Sequence, residues 1–266
     1  MLVILLKLNK EQYIEHIRDR EQIINMRKIL DKVEIVINKH ICQATDFLDP
    51  YERKLAKSIL NRFQDIKYIE FGGIDESERK IIQIFPDYLQ YDELEMPIVA
   101  FKVEGYSGKL FHRNFLGSIL GLGINRSKVG DILIHEGYCQ FVVKEEISPY
   151  ILTNLNKVGN ERVTISEIPL EELKPVNIEY EHKRYTVSSL RLDVLISSVW
   201  NLSRKDSQKL IESERVKINW EPVDKPSKVV EVGSIISAKG YGRFILSSIE
   251  GVSKKERMKI EVKLLK

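Results

Sequence analysis

Apolar residues recur at three- and four-residue steps near the start of the chain: Tyr13, Ile14 and Ile17, then Ile23, Ile24, Met26, Ile29, Leu30, Val33 and Ile37, with charges between them. This spacing places them on one face of a helix expected from Lys10 to Lys39. Asp49-Pro50 marks the next helix start, because a carboxylate accepts from free amides and proline's missing donor costs nothing there. That helix is expected to reach Phe63, before two β-like segments, IKYIEF and RKIIQIF, joined by GGIDESE. Residues 1–86 therefore read as a helical region with a hairpin at its end. The opening residues, MLVILLKL, are apolar but too short for a membrane span, and they lack a basic lead or small-residue cleavage site. A buried strand, a leader and residues upstream of the native start all fit them.

From Pro97 the pattern changes. PIVAFKVEG reads as a strand and FHRNFLGSILGL as a helix stopped by Gly123. DILIH and YCQFVV are strands around a turn at Glu136-Gly137, and Ser148-Pro149 starts a helix expected to run to Val158. ERVTISEI supplies a fourth strand. The order βαββαβ over residues 87–168 implies a ferredoxin-like plait, an antiparallel sheet backed by two helices. A linker and connecting strand, residues 169–187, contain LEELKPVN and IEYEHKRYTV. In residues 188–266, Ser188 or Ser189 is expected to cap a helix burying Leu192, Leu195, Ile196 and Val199, and Ser203 to cap the next. Met258, Ile260, Val262 and Leu264 alternate with polar neighbours as a closing strand. The fold class is α+β in three parts.

Charge changes this picture. The net charge is only +3, but residues 183–266 hold 18 Lys+Arg against 10 Asp+Glu, leaving 24 against 29 for the rest. Such asymmetry points to an anionic partner for the C-terminal part. Cys42 and Cys139 lie far apart with no ligand cluster around them, so neither a zinc site nor a disulfide framework is indicated. No later run is long enough to cross a bilayer, and a cytoplasmic, monomeric protein is expected.

The basic residues are ordered. Arg204 and Lys205 fall in the first turn after Ser203, where the helix dipole disfavours cations unless an anion binds between them. Lys209 shares the face of Lys205, and Arg215, Lys217 and Asn219 follow at period two. With Arg191 and Arg243, these eight residues form the principal candidate RNA site. RLDVLI, LSRKDSQKLIESERVKINW, KPSKVVEVGSIISAKG and YGRF resemble the S-four RNA-binding domain in order and spacing. Glu214 and Trp220 stand where that domain usually carries glycine; the first is expected to strain a left-handed helix cap, the second to change the following turn and offer an indole to a base. FGGIDESERKIIQIFP, FHRNFLGSILGLGINRSKVGDILI and NWEPVDKPS extend the likeness: nearly the whole chain resembles the bacterial YlmH family. That resemblance implies a plait-like RNA-binding middle domain, association with large ribosomal subunits carrying a stalled nascent chain, and a link to cell division.

A second, weaker RNA site is expected at His112, Arg113, Arg126 and Lys128, and EGYCQFVV faintly echoes the aromatic strand of the RNA-recognition motif through Tyr138 and Phe141. Catalysis finds little support. FGGIDESER lacks the glycine pattern of a phosphate-binding loop, the five histidines have no metal-ligand spacing, and capping explains the acids of LDPYERK. The expected function is non-catalytic docking on structured rRNA, alone or with tRNA, without a cofactor or metal. The alternatives are an RNA-modifying enzyme that uses the basic domain for targeting, and a cell-division scaffold.

Overall fold

The computed structural model describes residues 7–177 and 179–265, in two compact units, 1–176 and 177–266. The expectations for the leading apolar residues fall largely on 1–6, outside the described residues.

The helix expected over 10–39 is two: α1 (Glu11–Ile14) and α2 (Arg20–Lys39). Asp19 makes the break, in extended backbone, with its carboxylate accepting from Gln22 N at 2.8 Å. The periodicity spans the break because Ile14 and Ile17 still reach the same core as Met26, Leu30 and Val33. β1 (Gln43–Ala44) precedes α3 (Pro50–Leu60), whose start is a reciprocal capping box between Asp49 and Glu52. α3 stops short of Phe63, which instead stacks on Tyr13 with centroids 5.1 Å apart. β2 (Ile66–Phe71) and β3 (Ile81–Pro86) form the hairpin, and β1 extends it to a sheet of order β1-β3-β2.

β4 (Ile98–Glu104), α4 (His112–Gly121), β5 (Val129–Ile134), β6 (Cys139–Lys144), α5 (Ser148–Asn154) and, after the short ribbon β7 (Lys157–Val158) with β8 (Glu161–Arg162), β9 (Thr164–Ile168) make the plait. Its antiparallel order, β5-β6-β4-β9, is that of the ferredoxin-like fold. α5 ends four residues before the expected Val158, which pairs in the ribbon. One sheet face packs on the helices through Phe101, Val103, Phe141, Phe115, Ile119 and Ile151. The other is covered too: Ala100, Val142 and Ile98 meet Phe47, Ile81 and Leu173.

The second unit holds β10 (Tyr180–Val187), α6 (Leu192–Val199), α7 (Arg204–Glu212), β11 (Val216–Ile218), β12 (Glu221–Pro222), β13 (Ile235–Ala238), β14 (Gly242–Val252) and β15 (Met258–Leu265). Its sheet runs β10-β15-β14-β13-β11-β12, so the strand expected to connect into this unit pairs with the closing strand along its whole length. The two helices bury Leu192, Leu195, Ile196, Leu210 and Ile211 against Val216, Ile236, Phe244, Leu246, Ile260 and Val262.

Candidate nucleic-acid interface

Local sequence sets up the helical part of the interface. α6 is not capped by Ser188 or Ser189: its cap residue is Arg191, without a side-chain cap. Carbonyls of the 226–228 loop do the work instead, Lys228 O accepting from Leu192 N at 2.8 Å and Pro226 O from Asp193 N at 3.1 Å. α7 does start at Ser203, whose hydroxyl accepts from Asp206 N at 3.1 Å. It ends with Glu214 left-handed, at φ 56°, with Glu214 N donating to Ile211 O and Arg215 N to Leu210 O. Those two bonds define a Schellman cap, kept despite the missing glycine. The next turn is kept as well, contrary to expectation. Asn219 (φ 49°) and Trp220 (φ 66°) alone link β11 to β12, and two left-handed central residues are the signature of a type I′ hairpin.

The eight principal candidates divide into two groups. Arg191 and Arg204 converge on Asp193, whose side chain is 0% exposed. Arg191 donates to both its oxygens, Nε to Oδ1 at 3.0 Å and Nη2 to Oδ2 at 2.9 Å, while Gln208 Nε2 donates at 3.3 Å and Arg204 Nε lies at 3.5 Å. Burial pushes the Asp193 carboxyl up, but the hydrogen bonds from Arg191 and Gln208 and the charges of Arg191 and Arg204 outweigh it, so it sits below the usual carboxylate range. Both arginines keep solvent-facing surface, 37% and 65%, and Lys205 and Lys209 project from α7, exposed. One buried anion thus orients two accessible guanidinium groups beside an exposed helix start.

The second group lies on the far side of the sheet. Val216 and Ile218 face the core, so Lys217 between them faces away, as does Arg243 next to buried Phe244. Registers place Lys217, Ser237 and Arg243 in one row across β11, β13 and β14. Arg215 prolongs β11 on that face, with Nη2 donating to Lys239 O at 3.4 Å. Asn219 Oδ1 accepts from Ile235 N at 2.9 Å and so holds the hairpin tip. The helical cations and the strand cations therefore occupy opposite faces of this sheet, not one surface. Sequence reasoning does not single out Asp193 and Gln208 as their holders, although Gln208's place four residues after Arg204 is a legible signal.

The weaker group in the middle domain does not converge. His112 and Arg113 are exposed at the start of α4, Arg113 lying 5.7 Å from the Phe111 ring centroid. Arg126 and Lys128 lie beyond the other end of this ten-residue helix, about 15 Å long. Both are engaged within the fold. Arg126 donates to the carbonyls of Val129 and Gly130, and burial lowers its pKa to about 10. Lys128 bridges Asp46 at 2.7 Å and Glu146 at 2.6 Å. Nearby, Asp131 accepts from Glu78 N and Arg79 N, at 2.6 and 3.0 Å, and Arg79 donates to Phe47 O. A Cβ at Gly130 would meet the Phe47 ring at 2.7 Å, so glycine is required there.

The aromatic strand is not a platform either. Phe141 is fully buried beneath the helices, while Tyr138 stacks on His135 at 4.6 Å. Lys144 on the same strand is 6% exposed, its pKa lowered by burial to about 8. The GG of FGGIDESER has a packing reason, since a Cβ at Gly72 would meet Ser77 at 2.5 Å and one at Gly73 would meet Leu173 at 2.6 Å. Burial pushes the Cys139 thiol up, away from reactivity. Among the described residues no group of histidine, cysteine, aspartate and glutamate is placed to hold a metal, and no helix is long and apolar enough to cross a membrane.

Three family models match the chain in succession: "YlmH, N-terminal" over residues 21–89, "Putative RNA-binding domain in YlmH" over 92–172, and "S4 domain" over 190–236. The chain is 33% identical over 249 residues to the ribosome-associated protein quality control protein P2 of Bacillus subtilis (strain 168), covering 92% of this chain and 96% of that one. It is similar in structure to the cell division protein ylmH from Streptococcus pneumoniae, with a TM-score of 0.51 and 27% identity, over 58% of this chain and 95% of that one.

Proposed function

This chain belongs to the YlmH family, and from that premise we propose that it is a non-catalytic, monomeric RNA-binding protein of the cytoplasm that docks on structured rRNA, alone or together with tRNA, on the large ribosomal subunit during quality control of stalled translation. The observation that carries the reading is the pair of accessible arginines, Arg191 and Arg204, oriented by buried Asp193 at the exposed start of α7 within an S4 domain. Charged hydrogen bonds to phosphate need donors already in position, and this cluster supplies them without reorganisation. Lys205 and Lys209 extend it along α7, and Arg215, Lys217 and Arg243 supply a second set of contacts on the sheet. The Bacillus relative, named for ribosome-associated quality control, supports the ribosomal setting.

Arg204→Glu with Lys205→Glu tests the reading. Co-sedimentation with large subunits should fall by at least about a hundredfold, because two phosphate contacts are lost and repulsion added, while the circular-dichroism spectrum stays that of the wild type. Undiminished co-sedimentation would refute it. The pneumococcal protein, named for cell division, favours a second reading, a division scaffold. That reading requires a protein partner whose association survives nuclease. An RNA-modifying enzyme would instead alter the modified-nucleoside profile of rRNA or tRNA on gene deletion.

A further inference from the structure

The hairpin joining β11 and β12 carries a side chain its backbone does not favour. Both central residues are left-handed, a conformation glycine adopts freely, asparagine tolerates and a bulky aromatic resists. Trp220 adopts it because the tip is fixed from outside: Asn219 N donates to Ile235 O at 2.8 Å, and Asn219 Oδ1 accepts from Ile235 N at 2.9 Å. Backbone strain held in place by its surroundings is found disproportionately at ligand-contacting positions.

The indole has no place in the core that would explain it. The other tryptophan, Trp200, packs against the hydrophobic cluster, edge-on to Phe244 at 5.2 Å and beside Tyr241 at 5.4 Å. Trp220 belongs to no such cluster. It is half-buried on the hairpin tip, with the Arg243 guanidinium 5.3 Å from its ring centroid. Arg243 sits in the cross-strand row with Ser237 and Lys217, on the sheet face away from the helices. An aromatic plane with a guanidinium beside it, and a lysine in the same cross-strand row, matches what a single-stranded nucleotide offers, a π-face joined to phosphates.

We propose that Trp220, backed by Arg243, with Lys217 in the same cross-strand row as that arginine, is a stacking subsite for an unpaired nucleobase, so that this face selects a loop or bulge while the helical arginines hold the backbone. This deepens the RNA-binding reading and rests on it. The test compares a stem-loop RNA carrying a single-stranded loop with a fully paired duplex of equal length. Trp220→Gly gives the turn the residue it prefers, so the protein should unfold at the same temperature as the wild type or higher. Stem-loop affinity should fall about tenfold with the slope against salt unchanged, and duplex affinity should change less than about twofold. Trp220→Asn, also tolerant of left-handed backbone, is a second removal and should behave alike; Trp220→Phe should retain most of the affinity. Tryptophan emission should be quenched by the stem-loop in the wild type and not in Trp220→Gly. Equal losses for both probes, or no loss for either, would overturn the subsite and leave RNA binding standing. A wild-type protein that binds neither probe would bring down both.

Discussion

The two open-faced folds that this sequence encodes have met opposite fates. The plait of the first unit carries helices on one face of its sheet and has the other face covered by Phe47, Ile81 and Leu173. The sheet of the second unit carries helices on one face and leaves Lys217 and Arg243 on the other. Their cations differ in the same way. Arg126 and Lys128 are engaged by carbonyls and carboxylates of their own fold, whereas Arg204, Lys205 and Lys209 reach solvent. A basic residue near a nucleic-acid-binding fold is thus no guide to contact until its intramolecular partners are known. In the first unit they serve cohesion; in the second, presentation.

The largest effect is expected at Phe47. Phe47→Ala should cost about 3–5 kcal/mol in urea unfolding, because a fully buried ring that touches Gly130 leaves a cavity the covered sheet cannot fill. A loss below about 1 kcal/mol would mean that the covering layer is loosely held. Asp193→Asn probes the presented cations, with an expected cost of about 1–2 kcal/mol at neutral pH, reduced because both arginines are partly solvated, and a several-fold weaker RNA affinity. The folded carboxyl lies below its unfolded value, so its contribution is complete above the ordinary carboxylate range and disappears as pH falls through the folded value. The gap between wild type and Asp193→Asn should therefore close on acidification; a gap constant with pH would show that its charge is immaterial. The smallest effect is expected at the α7 cap. Glu214→Gly should stabilise by about 0.5–1 kcal/mol by relieving the left-handed glutamate, with RNA affinity unchanged.

What the sequence reveals and conceals follows from the range of the forces involved. The βαββαβ order, the Asp49 and Ser203 caps and the closing strand are legible because periodicity and capping act within a few residues. Asp19 is concealed since the apolar repeat continues across it. The α6 cap is concealed for a different reason: its acceptors come from residues 226 and 228, more than thirty positions away. Nothing in NRSKVGD announces that Lys128 and Asp131 bind their own chain, since their partners are Asp46 and Glu146 for the lysine and the amides of Glu78 and Arg79 for the carboxylate; Arg126 turns back on the carbonyls of Val129 and Gly130 within the same stretch. Asp193 is visible as part of RLD, but its burial beneath two arginines is a property of the folded helix pair.

The outer strands of the second sheet carry one more consequence. β10 forms one border and bears Glu181, His182, Lys183 and Arg184 in succession; β12 forms the other and is two residues long, ending in Pro222. A border studded with charges, and one too short to template and lacking a donor at proline, both resist the addition of a foreign strand. A flat sheet offering free backbone along either border would invite aggregation in a crowded solution. This one ends its own hydrogen-bond ladder at both sides, so the face that carries Lys217 and Arg243 is not bordered by adhesive backbone.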